Sequence, residues 1–442
     1  MQGPLSRFDP ERLRIAYLVY RGNPRCGGQG VYSRHLSREL VELGHEVTVF
    51  SGPPYPELDD GVSFVPVPSL DLYREPDPFR VPKLREFTSR TDVLEFAVMC
   101  TAGFPEPRTF AIRARRLLAG RRSDFDLVHD NQSLGSGVLK MMGDGWPVIE
   151  TIHHPITVDR ELDLGHATTL RRKLALRRWY GFLGMQIRVA RRVPRVITVS
   201  ESSRRDIAEQ LGVDHDRIAV VPVGVDDAVF RPRPEIARVP GRLVTTASAD
   251  VPMKGLVPLL EALARVRTER EDAHLVVVGR LREGSQIPHV MEGLGLERAV
   301  RFCSGISDAE LSELYASAEA AVVPSLYEGF SLPAVEAMAS GVPLVATTGG
   351  ALPEVAGRDG ETALLVPPDD HGALALGLLR VLGDAELRGR LGAAGRRRTL
   401  QRFTWPVTAR GTADQYRVLL DERARVATGT GGEAGVRQVV RC

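Results

Sequence analysis

Residues 320–354 read AAVVPSLYEGFSLPAVEAMASGVPLVATTGGALPE. The apolar run from Ala320 to Pro324 has strand length and is closed by Ser325 and the turn signal Glu328-Gly329, which predicts a strand buried on both faces. Pro333 suits the first helical position, where a missing N–H costs nothing and a fixed φ helps the helix start. A helix is therefore expected over 333–340, stopped by Gly341, with the next strand over 342–347. This places Gly329 to Leu332 at the carboxyl end of a strand and the amino end of a helix. In open α/β sheets ligands bind there, and unpaired N–H groups with the helix dipole favour an anion such as phosphate.

Two carboxylates, Glu328 and Glu336, flank that segment. They cannot assist an anion, so they are expected to accept hydrogen bonds from hydroxyl groups. A lone Glu in a first helical turn is more often a charge–dipole contact worth about 0.3–1 kcal/mol. The pair, with a Gly turn and a Pro between, points instead to a ligand rich in both phosphate and hydroxyls, a nucleotide-sugar.

The rest of the chain bounds this reading. At 442 residues, two domains are the natural expectation. A 43% hydrophobic and 26% charged composition is that of a soluble globular protein, and a net charge of +2 names no polyanionic partner such as nucleic acid. Cys26, Cys100, Cys303 and Cys442 are scattered without C-x-x-C spacing, which argues for a reducing compartment and against a zinc site. Met1 to Pro10 lacks the apolar core of a signal peptide, so a cytoplasmic location is expected.

From the start, 14–20 reads as a strand, 22–30 as a Gly-rich loop, 31–43 as a helix and 46–51 as a strand: a βαβ unit. Gly27-Gly28-Gln29-Gly30 lacks the G-x-G-x-x-G spacing of a dinucleotide loop, which disfavours an NAD-dependent dehydrogenase. By itself it is equally a tight turn without a ligand. A strand is expected over 61–68. Residues 71–107 show little periodicity and several prolines, and are expected as loops with a short helix. Strands over 127–130 and 148–153 follow, and the second ends in Thr151-Ile152-His153-His154-Pro155, where a lone His is more often structural than functional.

Residues 168–195 hold nine Arg or Lys and no Asp or Glu, interleaved with apolar side chains. Such a segment suits an anionic membrane surface or a phosphorylated acceptor. It equally suits a helix pair packed on the first domain, since Gly181 and Gly184 interrupt one continuous face. A strand over 195–200 and a helix over 201–211 come next. Asp124-Phe125-Asp126 and Asp214-His215-Asp216 both spell D-x-D, a spacing able to hold a metal, but each precedes its strand and reads as a turn.

A domain boundary is placed after the strand over 218–225, where Pro232, Pro234 and Pro240 mark a linker. The second domain repeats the alternation, with strands expected over 243–249, 274–278, 300–303, 320–324, 343–347 and 363–366. Alternating elements imply parallel sheets with ligands at the strand ends. Three helical segments are expected after 370, and the tail 427–442 turns to Gly, Thr and Glu and is expected to be disordered.

The segment E-G-F-S-L-P-A-V-E, Glu328 to Glu336, resembles the E-x7-E motif of the family-four retaining glycosyltransferases of GT-B fold. The flanks Val323-Pro324-Ser325, Glu336-Ala337-Met338-Ala339 and Gly341-Val342-Pro343 are similar to that family too. The resemblance implies an α/β GT-B architecture: two Rossmann-like parallel-sheet domains, 12–225 on the acceptor side and 226–402 on the donor side, facing each other across a cleft. A final helix, 403–426, would cross back onto the first domain.

The same resemblance implies roles. Glu328 would bind hydroxyls of the transferred sugar, backbone N–H groups of Gly329, Phe330, Ser331 and Leu332 would hold sugar and diphosphate, and Glu336 would bind ribose hydroxyls. Gly28 would let the backbone approach the donor phosphate, His153 (then His154) would face the donor sugar, and Lys254 would bind diphosphate. Gly349 and Gly350 would open the donor side. One departure is visible: Ser248 stands six residues before Lys254, where the family usually has an Arg, and its hydroxyl could donate to phosphate instead.

The implied activity is metal-independent, retaining transfer of a hexose from a UDP- or GDP-type sugar to a hydroxyl acceptor, with Glu328, His153 and Lys254 as catalytic candidates and no cofactor. A GT-B epimerase, a phosphorylase or a non-catalytic nucleotide-sugar-binding relative are the alternatives. Residues 168–195 would give peripheral contact with the inner face of an anionic membrane.

Overall fold

The computed structural model describes residues 11–23, 28–74, 76–247, 251–281 and 284–428. It divides into two compact units. The first holds the chain up to Thr198, Asp206–Ala219 and the residues from Ala409 on; the second holds Val199–Arg205 and Val220–Thr408.

In the first unit the described residues form a seven-stranded sheet of β1 (Arg14–Val19), β2 (Glu46–Ser51), β3 (Ser63–Pro66), β4 (Leu127–Asn131), β5 (Val148–Thr151), β6 (Arg195–Thr198) and β7 (Ile218–Val220). The spatial order is β3-β2-β1-β4-β5-β6-β7. The β1 strand runs parallel to both neighbours, with Ile15 opposite Val47 on one side and Leu127 on the other. Strand order therefore reverses between β1 and β4, and a crevice opens at the carboxyl ends of strands at such a switch point. Ala16, Leu18, Val128, Val148 and Val196 pack with Phe110, Val138, Met141 and Val189 of the helices beside the sheet.

Residues 71–107 correct the expectation of loops with one short helix. A full helix spans Arg90–Cys100 and another starts at Glu106, running to Leu118. The missing signal has a physical cause: the first helix buries Thr91, Asp92 and Glu95, so its hidden face is polar. Arg113 neutralises that face, its Nη2 lying 2.6 Å from both Asp92 and Glu95. Hydrophobic periodicity cannot find a helix whose inner face is charged.

The second unit has β8 (Arg242–Thr246), β9 (His274–Val278), β10 (Val300–Cys303), β11 (Ala320–Val323), β12 (Leu344–Thr347) and β13 (Leu364–Val366). Their order is β10-β9-β8-β11-β12-β13 among the described residues, every recorded pair parallel. The switch point here lies between β8 and β11. One apolar cluster, including Leu243, Leu259, Leu275, Val322 and Leu378, covers one face of the sheet. Another, with Val244, Val323, Val335, Met338 and Leu352, covers the other, which is why these strands read as continuous apolar runs.

Several boundaries move. The strand expected over 218–225 is only Ile218–Val220, and Val225 bridges to Thr404 instead. Helix Leu332–Ala339 begins one residue earlier than expected, capped by Ser331, so Pro333 occupies its second position. The basic segment is a helix Leu170–Trp179, a tight turn Tyr180–Phe182 and a helix Leu183–Ala190, the break falling at Gly181 while Gly184 stays helical. The final helix, Trp405–Thr428, lies in the first unit from Ala409, where Tyr416 is buried and its hydroxyl is 2.7 Å from His129 Nδ1.

Candidate active site

The second unit's switch point gathers the loops after β8 and β11. Gly255 holds φ +65°, and a Cβ there would lie 2.0 Å from the Pro324 carbonyl, so only glycine lets the Lys254 turn close on β11. Leu326 N donates to Met253 O at 2.8 Å and ties the two loops together. Lys254 Nζ thereby reaches Glu328 Oε1 at 2.7 Å, and Ser325 Oγ donates to the same oxygen at 2.7 Å. Glu328 is buried, so a cation and a hydroxyl compensate its charge.

Gly349 and Gly350 hold that loop from beneath. Cβ atoms there would lie 2.4 Å from Leu326 O and 2.3 Å from Glu328 O, and Ala351 N donates to Glu328 O at 2.8 Å. The space left by these glycines is filled by the backbone of Ser325, Leu326 and Glu328. Among the described residues, the N–H groups of Gly329, Phe330, Ser331 and Leu332 make no hydrogen bond. Ser331 Oγ instead accepts from Ala334 N as the helix cap.

Glu336 is the fifth residue of its helix, past the first turn where the sequence put it. It is half-buried, and burial, with Asp308 adding repulsion, pushes its carboxyl up to about 8. Its neighbour is Tyr315, whose hydroxyl lies 3.2 Å from Thr246 Oγ1 at the end of β8 and whose phenol burial and Glu336 push upward. Tyr315 and Thr246 were not singled out by the sequence. Each is an ordinary residue of a helix or strand, and only topology brings them to the site. Ser248 lies outside the described residues.

In the first unit, Gly28 is exposed at φ +72° and starts helix Gln29–Glu42, Tyr32 N donating to its carbonyl at 2.9 Å. No atom would meet a Cβ on Gly28, so its backbone angle selects glycine there; the crowded position is Gly30, where a Cβ would lie 1.9 Å from Asn23 O. The His153 ring is half-buried at the end of β5, with Nε2 2.9 Å from Asn131 Oδ1 and the Tyr32 ring edge-on at 4.7 Å. Burial, then the charge of His154, lowers its pKa to about 3, so the imidazole is neutral at physiological pH. With Nε2 donating to Asn131, Nδ1 is the acceptor; this tautomer follows from the amide orientation assigned to Asn131.

His153 is placed by the loop after β4. Its N–H donates to Gln132 Oε1 at 2.8 Å, and Gln132 Nε2 donates to His154 O at 3.0 Å. Gln132 and Leu134 hold φ +59° and +48°, left-handed values unusual for side chains of their size. Asp130 Oδ2 stabilises the bend by accepting from Ser133 Oγ at 2.6 Å and Leu134 N at 3.0 Å. His154 instead turns its Nε2 to Asp159 at 3.1 Å.

The D-x-D carboxylates are engaged locally: Asp124 with Arg121, Asp126 with Arg14, and Asp214 with the N–H of Asp216. Among the described residues no group of three His, Cys, Asp or Glu could hold a metal ion. None of their helices is long and apolar enough to cross a membrane.

Two parallel-sheet units of this strand order, with polar groups at the carboxyl ends of their strands, define a GT-B protein. Among solved structures the chain is similar to sucrose-phosphate synthase from Thermosynechococcus elongatus, with a TM-score of 0.69 at 22% identity, covering 93% of this chain and 100% of that one. It is also similar to Anabaena HepE in complex with UDP-glucose, with a TM-score of 0.65 at 17% identity and coverage of 92% and 100%. Residues 26–229 match Glycosyltransferase Family 4 and residues 233–398 match Glycosyl transferases group 1. The chain belongs to the family-four glycosyltransferases, and it is a glycosyltransferase. A curated relative is the MMP alpha-(1->4)-mannosyltransferase of Mycolicibacterium hassiacum, 53% identical over 416 residues, 94% of this chain and 100% of that protein. Another is the D-inositol 3-phosphate glycosyltransferase of Kineococcus radiotolerans, 30% identical over 441 residues, 92% and 94% of the two chains.

Proposed function

We propose that this glycosyltransferase transfers a hexose, mannose by analogy with its 53% identical relative, from a nucleoside-diphosphate sugar to a saccharide hydroxyl, with retention and without a metal. The observation that carries this is the Lys254–Glu328 pair beside four unengaged N–H groups, which offers a cation, N–H dipoles and a hydroxyl acceptor at one switch point. Lys254 and the N–H groups of Gly329 to Leu332 neutralise the charge that builds on the diphosphate as the C1–O bond breaks. Glu328 accepts from hydroxyls of the sugar, and Glu336, beside Tyr315 and Thr246, accepts from the ribose. Ser248 takes the place of the family's Arg as a hydroxyl donor to phosphate.

In the first unit His153 Nδ1 offers an acceptor to a hydroxyl, and Gly28 leaves the start of its helix open. Transfer with retention forms the new C1–O bond on the face that the diphosphate leaves, and the acceptor's proton passes to a departing phosphate oxygen. No carboxylate nucleophile is assigned.

The test is thermal shift of the full chain against GDP- and UDP-sugars, then transfer to a mannoside with the anomeric configuration read by NMR. An inverted product refutes retention, and turnover abolished by a chelator and restored by added metal refutes metal independence. Conversion of donor without acceptor supports an epimerase, and donor binding with no turnover supports a non-catalytic relative.

A second proposal rests on helix Leu170–Trp179, none of whose residues is buried and whose Leu170 and Leu174 are 71% and 55% exposed among Arg171, Arg172, Lys173 and Arg177. We place the enzyme in the cytoplasm with this helix against an anionic membrane. It should sediment with phosphatidylglycerol vesicles at low salt and release as salt rises; no sedimentation at low salt removes the idea.

A further inference from the structure

The residues that follow β6, Val199–Arg205, belong to the second unit, and there they meet the donor loop. Ser200 caps helix Glu201–Asp206, its Oγ accepting from Ser203 N at 2.9 Å. The same Oγ donates to the carbonyl of Gly329 at 2.6 Å, and Ser203 Oγ donates to that carbonyl at 3.1 Å. Glu354, four residues after Gly350, accepts from Glu201 N at 2.7 Å and Ser202 N at 2.8 Å. The first three N–H groups of the helix are thus satisfied, and the two loops bordering Glu328 are both fastened to it. Ser200 and Ser203 are 3% and 0% exposed, so neither hydroxyl has water to turn to.

This arrangement controls one peptide plane. A trans peptide is planar, so the carbonyl of Gly329 and the N–H of Phe330 point in opposite directions. With the carbonyl claimed by two buried hydroxyls, the Phe330 N–H is forced to the other side of the turn, where it has no partner among the described residues. Rotating the plane would strand two hydroxyls and a carbonyl without hydrogen bonds, a larger loss than any single bond supplies. The Phe330 ring, edge-on to Phe403 at 5.9 Å, holds the following residue in the same sense.

We infer that Ser200 and Ser203 are positioning residues: they lock the Gly329–Phe330 peptide so that the Phe330 N–H is already aimed at the donor's diphosphate before the donor arrives. The inference rests on the proposed function, since it assigns that N–H a diphosphate. Neither hydroxyl touches the donor; each acts through the Gly329 carbonyl.

Calorimetric titration of the full chain with GDP and with UDP tests this. Ser203→Ala removes one donor and leaves the helix cap. Ser200→Asp keeps an acceptor for Ser203 N but cannot donate to a carbonyl. For whichever diphosphate the wild type binds, Kd should rise about threefold in Ser203→Ala and about tenfold or more in Ser200→Asp/Ser203→Ala, the scale of one and two buried hydrogen bonds. Ser203→Thr, which restores the hydroxyl, should bind as the wild type does.

Acceptor KM should stay unchanged in all three variants. Binding by the double variant within twofold of wild type overturns the inference and leaves the proposed function standing. Weaker binding that Ser203→Thr fails to restore, with a fall in the apo thermal midpoint, assigns the hydroxyls to folding and also overturns it. A wild type that binds neither diphosphate overturns both.

Discussion

Replacing Lys254 by Met separates what the Lys254–Glu328 pair does for folding from what it does for transfer. In the free protein the ammonium lies 2.7 Å from a carboxylate whose side chain is only 11% exposed, so the variant leaves Glu328 with Ser325 as its one remaining partner. Breaking a fully buried pair costs about 3–5 kcal/mol, but Lys254 keeps 33% of its side chain in water and screening lowers the expected loss to about 1–2 kcal/mol. Adding Glu328→Gln removes the bare charge, so the double variant should recover most of that stability, giving a coupling of about 1 kcal/mol or more. Activity should behave in the opposite way. Under the proposed function, in which Lys254 meets the leaving diphosphate and Glu328 the sugar, losing the cation should lower kcat/KM by about 10²–10³-fold, and the double variant should be no better. Urea unfolding of the four proteins measures the first cycle and initial rates measure the second. Additive stabilities, or a double variant that regains turnover, would refute the idea that one pair serves both purposes.

The Glu336 carboxyl, raised to about 8 in the folded chain, takes up a proton on folding, so the stability it contributes is complete below its usual range near 4.5 and is lost as pH rises through 8. Glu336→Gln should therefore flatten the decline of the thermal midpoint between pH 6 and pH 9, and equal slopes for the two proteins would count against the raised value. Gly350→Ala places a Cβ 2.3 Å from Glu328 O at φ +60°, whereas Gly360→Ala meets no atom within 4 Å at φ +73°. Both should lose about 1–2 kcal/mol to backbone strain, and only Gly350→Ala should lose more than that and lose activity as well. Arg113→Met strands Asp92 and Glu95 in the interior and should cost about 3–5 kcal/mol in urea unfolding, with Arg113→Met/Asp92→Asn/Glu95→Gln recovering part of it.

What could be read from the sequence follows from which interactions are local. Strands such as Ala320–Val323 and His274–Val278 are buried on both faces and written as unbroken apolar runs, so they were legible, as was the turn that Gly329 and Pro333 punctuate. Lys254 and Glu328 were legible one by one, yet no local pattern says that they touch. That contact comes from β8 and β11 becoming neighbours although three helices and two strands separate them in the chain. Helix Arg90–Cys100 was hidden for the opposite reason, its inner face being charged and neutralised by Arg113 of the next helix. The bond from Ser200 to Gly329 spans the sequence and leaves no trace in it.

The two units share a strand order and carry different polar groups. At its switch point the second unit sets an ammonium, a carboxylate and four N–H groups without partners among the described residues, which under the proposed function meet an anionic leaving group whose charge grows during reaction. The first unit sets a neutral imidazole bonded to the Asn131 amide, while Gln132, in a left-handed backbone, holds the His153 backbone N–H. A His whose pKa has fallen to about 3 cannot serve as a cation for phosphate, but it can discriminate among hydroxyl positions through a fixed lone pair. His153→Asn, which keeps a short polar side chain without the ring, should then relax selectivity between mannosyl and glucosyl donors while leaving the Kd for free nucleoside diphosphate unchanged, and an equal loss for both would assign His153 to the phosphates after all.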